Sequence, residues 1–265
     1  MKTFYSALLI LFVSSALAVG PWFPVRRVQQ RVYPTPVAGP SSLNTDLISY
    51  WKHDEASGNR VDSEPTGTAQ DLTDNGSIVS GTGKINNGSD LEASSSQWFS
   101  RADSADLSLG ADQAFSIALW VKFETVGGST PIVNKLVGLD GNSDEYNLDL
   151  NGSSNFRFYV GYGAGIGQVI DTTIGVPSTG VWYFVVVWHD PVADQVGMSI
   201  NNGTPDVTSH SLGTQDTAGS FQIGNYSSLF LDAVVDEVAF YKKVLSAAEI
   251  TELFNSNVGK TCCPF

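Results

Sequence analysis

"FSIALWVKF", residues 115–123, alternates with a period of two: Phe115, Ile117, Leu119, Val121 and Phe123 take one face, and Ser116, Ala118, Trp120 and Lys122 take the other. Successive side chains of a β-strand point to opposite sides, whereas a helix would repeat at three and four, so the segment predicts a strand with one face in a core. Outward along the chain, "YNLDL" (146–150), "FRFYVGY" (156–162) and "VGMSI" (196–200) alternate in the same way. "VWYFVVVW" (181–188) is apolar throughout, as a central strand covered on both faces should be.

Turn signals separate these runs. Asn75-Gly76, Asn87-Gly88, Asn151-Gly152 and Asn202-Gly203 supply the positive φ angles that tight hairpins need. Each is followed by Ser or Thr, as is Asn225-Tyr226, so each also matches a glycosylation sequon. From residue 46 to Ser246 there is no long helical period. A run of short strands with polar turns over some 220 residues predicts an all-β, two-sheet antiparallel sandwich forming one domain over 46–256. The single predicted helix starts at Ser246. "SAAE" makes Ser246 the N-cap and Glu249 the N3 partner of a capping box, Leu245 and Ile250 form a hydrophobic staple, and Ile250, Leu253 and Phe254 face inward as a lid on the sandwich.

The two ends read differently. Residues 1–18, "MKTFYSALLILFVSSALA", have the one lysine, short apolar run and small residues of a secretory signal peptide, and the run is too short to span a bilayer. Residues 19–45 carry five prolines, three arginines and no acid, the composition of an extended linker. Residues 1–40 hold four of the 14 Lys+Arg and none of the 27 Asp+Glu, which leaves 10 against 27, a charge of −17, on residues 41–265. A domain that acidic repels nucleic acid and anionic membranes and tolerates bound cations. The expected location is therefore outside the cell. In the tail, 257–265, the adjacent Cys262 and Cys263 bridge each other only with strain. They read either as a frayed end or as a link to another chain in a disulfide-linked oligomer.

The order of several segments resembles the laminin-G-like, or concanavalin A-like lectin/glucanase, jelly-roll family. The resemblance starts at "LISYWKHDEASGNRVDS" (47–63) and is most specific over "GKINNGSDLEASSSQWFSRADSADLSLGADQAFSIALWVKF" (83–123). It continues through "STGVWYFVVVWHD" (178–190), "INNG" (200–203) and "GSFQIGN" (219–225) and closes at "VVDEVAFYKKVLSAAEITELF" (234–254). It implies a jelly roll of two antiparallel sheets whose members bind carbohydrates or other proteins.

In the closing segment Val234, Val238 and Phe240 share one side of the alternation, and Asp236 falls with them. An ionised carboxylate facing a core needs a cation or a set of donors. The resemblance implies a structural Ca2+ held by the Asp236 side chain, the segment at Asp54 and the carbonyl of the Asn87-Gly88 turn, so that Asp54, Gly88 and Asp236 are the candidate metal residues. Calcium accepts such mixed oxygen sets. The alternative is that Asp236 accepts only backbone N–H groups or pairs with a Lys or Arg. Residues 86–90 depart from the family pattern, which weakens the assignment of Gly88.

No catalytic constellation is legible. A glycosidase needs two carboxylates about 5 to 9 Å apart, and no Glu-x-Asp-x-x-Glu run occurs. Asp144-Glu145 precedes a strand, Asp149 stands alone within it, and Asp236-Glu237 should point to opposite faces. His53, His189 and His210 lie in no nucleophile motif. The chain reads as a non-enzymatic binding module, for a glycan first and for an extracellular protein in adhesion second. Trp98, Tyr162, Trp188 and Tyr226 are candidate rings for stacking on a sugar, Trp120 and Trp182 belong to the packing, and no ligand-contacting residue is assigned.

Overall fold

The computed structural model of the chain describes residues 42–64, 67–138, 144–163 and 165–262. In chain order its strands are β1 (Leu47–Trp51), β2 (Thr73–Asn75), β3 (Val79–Thr82), β4 (Asn87–Leu91), β5 (Trp98–Arg101), β6 (Phe115–Phe123), β7 (Thr130–Lys135), β8 (Tyr146–Leu150) and β9 (Phe156–Tyr162). They continue as β10 (Gly165–Ile170), β11 (Trp182–Asp190), β12 (Gln195–Ile200), β13 (Asp206–Ser209), β14 (Phe221–Ile223), β15 (Asn225–Tyr226), β16 (Leu229–Phe230) and β17 (Ala233–Tyr241). One α-helix, α1 (Ala247–Phe254), follows. The signal peptide, nearly all of the linker, and Cys263 lie outside the described residues.

The larger sheet runs β13-β12-β11-β6-β17-β4-β3, with β1 also paired to β17; the smaller runs β10-β9-β8-β7-β14-β5-β2, and all ladders are antiparallel. This is the predicted sandwich. Rings from the two sheets meet between them: Phe115 lies 5.3 Å from Tyr146, Phe123 lies 5.8 Å from Phe156, and Trp51 stacks on Phe221 at 5.1 Å. Edge and offset contacts of this kind add to simple area burial.

A second apolar layer lies outside the larger sheet. Tyr50, Trp120, Phe184, Val186, Trp188 and Tyr241 pack there with Leu245, Ile250 and Leu253 of the helix segment. Phe254 stacks on Trp120 at 5.9 Å. This explains why β6 and β11 are apolar on both faces. It also corrects the helix's expected role, since α1 covers the back of the larger sheet rather than capping the space between the sheets. Its N-terminus is as predicted: the Ser246 hydroxyl accepts from Glu249 N, and the Glu249 carboxylate accepts from Ser246 N at 2.8 Å.

Both ends of the described chain join this outer layer. Leu43 is fully buried, the Ser42 hydroxyl donates to Glu249 Oε1 at 2.6 Å, and Cys262 is 2% exposed with its sulfur 2.7 Å from the Tyr241 hydroxyl. The ordered domain therefore begins before residue 46 and extends beyond 256. The frayed reading of Cys262 is corrected as well: its thiol packs beneath the helix, which gives no support to a cross-link through it.

Candidate functional site

The first candidate region is the one around Asp236. The alternation of β17 does not hold through it. Val235 and Val238 both face the sandwich core, and the pairing register with β6 shifts between Asp236 and Ala239, where Glu237 takes a left-handed φ of 53°. This is a β-bulge, one extra residue that re-aims its neighbours. Asp236 pairs across the strands with Trp120, so its side chain lies on the outer face and not on the core side that the alternation predicted. Glu237 accepts from the Tyr50 hydroxyl on that same outer side, which corrects the expectation that the two acids point apart.

Asp236 is fully buried and meets the turn between β3 and β4. Its Oδ2 accepts from Lys84 N at 2.7 Å and Ile85 N at 2.9 Å, while its Oδ1 is buried without a hydrogen-bond partner. Burial pushes its pKa up to about 8, with the negative charges of Glu237 and Asp54 adding to the rise against the two amide bonds. Asp54 holds the other side of the turn: Oδ1 accepts from Asn87 N at 3.1 Å and its carbonyl from Asn87 Nδ2 at 3.0 Å. The expected pair thus converges on one loop.

The Asn87-Gly88 pair is not itself the turn. The turn is Gly83–Asn86, closed by Gly83 N donating to Asn86 O at 3.1 Å, and Asn87-Gly88 already belongs to β4. A Cβ on Gly83 would collide with Asn87 O and come within 2.8 Å of Asp236 Oδ2, so the turn passes close against the carboxylate. The donors are all oxygens, one of them an orphaned buried carboxylate oxygen, and this chemistry fits calcium. The residues that offer such oxygens are Asp236, Asp54 and the Asn87-Gly88 segment.

The second region was not visible in the sequence. On the outer face of the smaller sheet the registers set Ser100 beside Gln222, Gln222 beside Asn134, Asn134 beside Asn147, and Asn147 beside Tyr159. The hairpin β15–β16 and residues 136–138 border this row. Between them is a cleft of about 260 Å3 lined by Asn134, Leu136, Val137, Gly138, Gln222, Tyr226 and Ser227. Asn134 donates to Asn225 O at 2.8 Å, and the Tyr226 hydroxyl donates to Gly138 O at 3.1 Å, so floor and wall are tied together. Period two in "YNLDL" and "FQI" was enough to turn Asn147 and Gln222 outward. It could not show that β14 and β8 flank β7.

Of the four candidate rings, Tyr226 stands at this cleft. Trp188 is buried against Gly197 in the outer layer, Trp98 is half-buried on β5, and Tyr162 is 40% exposed at the end of β9. Two carboxylates of this face are committed, Asp149 to Arg157 at 2.5 Å and Asp144 to the Tyr159 hydroxyl at 3.0 Å, while on the core side Glu145 pairs with the buried Lys135 at 2.6 Å. His53 lies 2.7 Å from the Ser89 hydroxyl, but both are buried and Arg60 Nε donates to the same oxygen. Burial, then the Arg60 charge, pushes His53 well below its usual pKa. The pair is part of the core.

Two facing antiparallel sheets of this kind form a jelly-roll sandwich. A family model described as the concanavalin A-like lectin/glucanases superfamily matches residues 94–251, and the chain belongs to that family. No curated protein matches it. Among solved structures it is similar to the binding domain of Paraclostridial Mosquitocidal Protein 1 (TM-score 0.65, 15% identity, 81% of this chain and 53% of that one). It is also similar to domain 4 of AbnA, a GH43 extracellular arabinanase from Geobacillus stearothermophilus, in complex with arabinotriose (TM-score 0.58, 19% identity, 81% and 98%). A third likeness is to the binding domain of botulinum neurotoxin DC in complex with rat synaptotagmin II (TM-score 0.62, 14% identity, 81% and 52%). The chain spans about half the length of the toxin domains and nearly all of the arabinanase domain. At these identities the likeness establishes the fold.

Proposed function

We propose that this chain is a secreted, non-catalytic binding module whose ligand is a carbohydrate, with a structural calcium ion at the β3–β4 turn. The observation that carries the reading is the cleft over β7 and β14, where carboxamides form the floor and a pinned tyrosine the wall. Ligand sites combine an aromatic wall with a few placed polar groups in this way. The arabinotriose complex of the similar arabinanase domain supports a sugar as occupant. The signal-like first eighteen residues support secretion. When bound, calcium would supply positive charge to Asp236 and Asp54 and tie β17 to the segment after β1; the cleft lies on the other sheet.

The test is a glycan array probed with the purified protein. Saturable binding to a defined set of glycans supports the reading, and silence across the array overturns it. A second reading, adhesion to an extracellular protein, is favoured by a separate observation: Tyr162, Ile166 and Leu212 are 40%, 42% and 48% exposed, and Leu212 lies against the β9–β10 hairpin. Capture of a protein partner that is lost on Ile166→Ser, with no glycan bound, supports that alternative.

A further inference from the structure

Resting on the carbohydrate reading, we infer that the cleft takes one neutral sugar ring at the end of a glycan and rejects acidic sugars. Three observations lead there: the pairing of carboxamides, the absence of available cations, and the size of the space.

Gln222 and Asn134 are direct register partners on β14 and β7. Such partners hold their Cβ atoms about 4.5–5.5 Å apart, which sets two carboxamides side by side on the cleft floor. Each carboxamide offers an oxygen acceptor and an NH2 donor, the complement of adjacent hydroxyl groups that each donate and accept once. Gln222 is half-buried, and its carboxamide makes no hydrogen bond to a described residue. Asn147, the next residue in the row, is 2% exposed and keeps a buried Oδ1 without a partner. The row therefore has hydrogen-bonding capacity that the protein itself does not use.

No charged side chain is among the described lining residues. Among the described residues, Arg157 on this face is already taken by Asp149, and Lys135, a register partner of the core residues Phe221 and Tyr146, is buried on the other face against Glu145. Asp144 Oδ1 accepts from Val137 N and Gly138 N at 3.3 and 3.2 Å, which places a carboxylate directly behind the cleft rim. A sugar carboxylate or sulfate entering here would lose water, meet no cation and face that charge. At about 260 Å3 the cleft falls below the usual range of about 300–1,000 Å3 for small-molecule sites, so it holds a single ring and leaves the rest of the glycan in solvent.

The experiment uses the full chain on a printed array of neutral, sialylated and sulfated glycans, followed by titration of the best neutral hit. Binding should be confined to neutral glycans. It should fall about tenfold or more in Gln222→Ala, the size expected when a ligand hydrogen bond is lost, and disappear in Gln222→Glu if Asp144 already biases the rim. Raising salt from about 0.1 to 1 M should leave it unchanged, since no ion pair is involved. Val192→Ser, at a 94% exposed position in the turn after β11 on the other sheet, should bind as wild type. Neutral binding unaffected by Gln222→Ala and Gln222→Glu, both with wild-type melting curves, would overturn the cleft while leaving the carbohydrate reading intact. Preference for sialylated or sulfated glycans would overturn the neutral assignment. A folded wild type that binds no glycan would overturn both.

Discussion

A carboxylate that cannot reach water must find a partner, and Asp236 finds only half of one. One oxygen takes two amide hydrogens from the β3–β4 turn; the other is buried and unmet. If calcium supplies the missing charge, EDTA will lower the melting temperature of the wild type, and Asp236→Ala will abolish that sensitivity. An unchanged melting curve with chelator would remove the ion from the account. The turn makes its own demand. Gly83 leaves no room for a methyl group between Asn87 O and Asp236, so Gly83→Ala should cost about 1–3 kcal/mol in urea unfolding, the usual penalty of an overpacked site. A neutral result would mean that the turn does not press against the carboxylate. The family resemblance implied Asp236 and Asp54 as ligands of one ion, and the structure sets both against the β3–β4 turn. The alternation mis-set the side chain's face, because a bulge adds one residue to the count and reverses every inference made from parity.

At the scale of the element, the capping box was fully legible, because its atoms lie within four residues of one another. Ser246→Ala removes the acceptor for Glu249 N and should cost about 1 kcal/mol by denaturant titration. The Glu249 carboxylate gathers more than the box. Burial works against its charge, but the Lys243 ammonium at 2.5 Å, the Ser42 hydroxyl and the Ser246 amide and hydroxyl outweigh burial and hold its pKa down to about 2. A depressed pKa contributes stability that is fully present above the unfolded value near 4.5 and is lost as pH falls toward 2. Glu249→Gln should therefore flatten the stability profile over that window and leave its shape above pH 5 or so unchanged. A profile as steep as the wild type's would mean that other carboxylates govern the acid limb. The partner Ser42 was assigned to the linker, since nothing in a Pro- and Ser-rich stretch announces a contact more than two hundred residues away.

At the scale of the whole molecule, the described domain is held by two apolar layers, one between the sheets and one behind the larger sheet. Cys262 sits in the outer layer between Leu43 and Tyr241. In a Cys263→Ser background its thiol should resist labelling in the native state and react only on unfolding; rapid native labelling would show that the tail does not dock. By itself the sequence determined the period-two strands, the one capped helix, the acidic balance and the family, because each is carried by neighbouring residues or by their order. Only the tertiary structure decided that α1 backs the larger sheet, that the bulge turns Asp236 and Glu237 to one side, and that Asn134, Gln222 and Tyr226 share a cleft. Those facts depend on which strands become neighbours, and β7 and β14, nearly ninety residues apart, are paired by the burial of the whole core and not by any local signal.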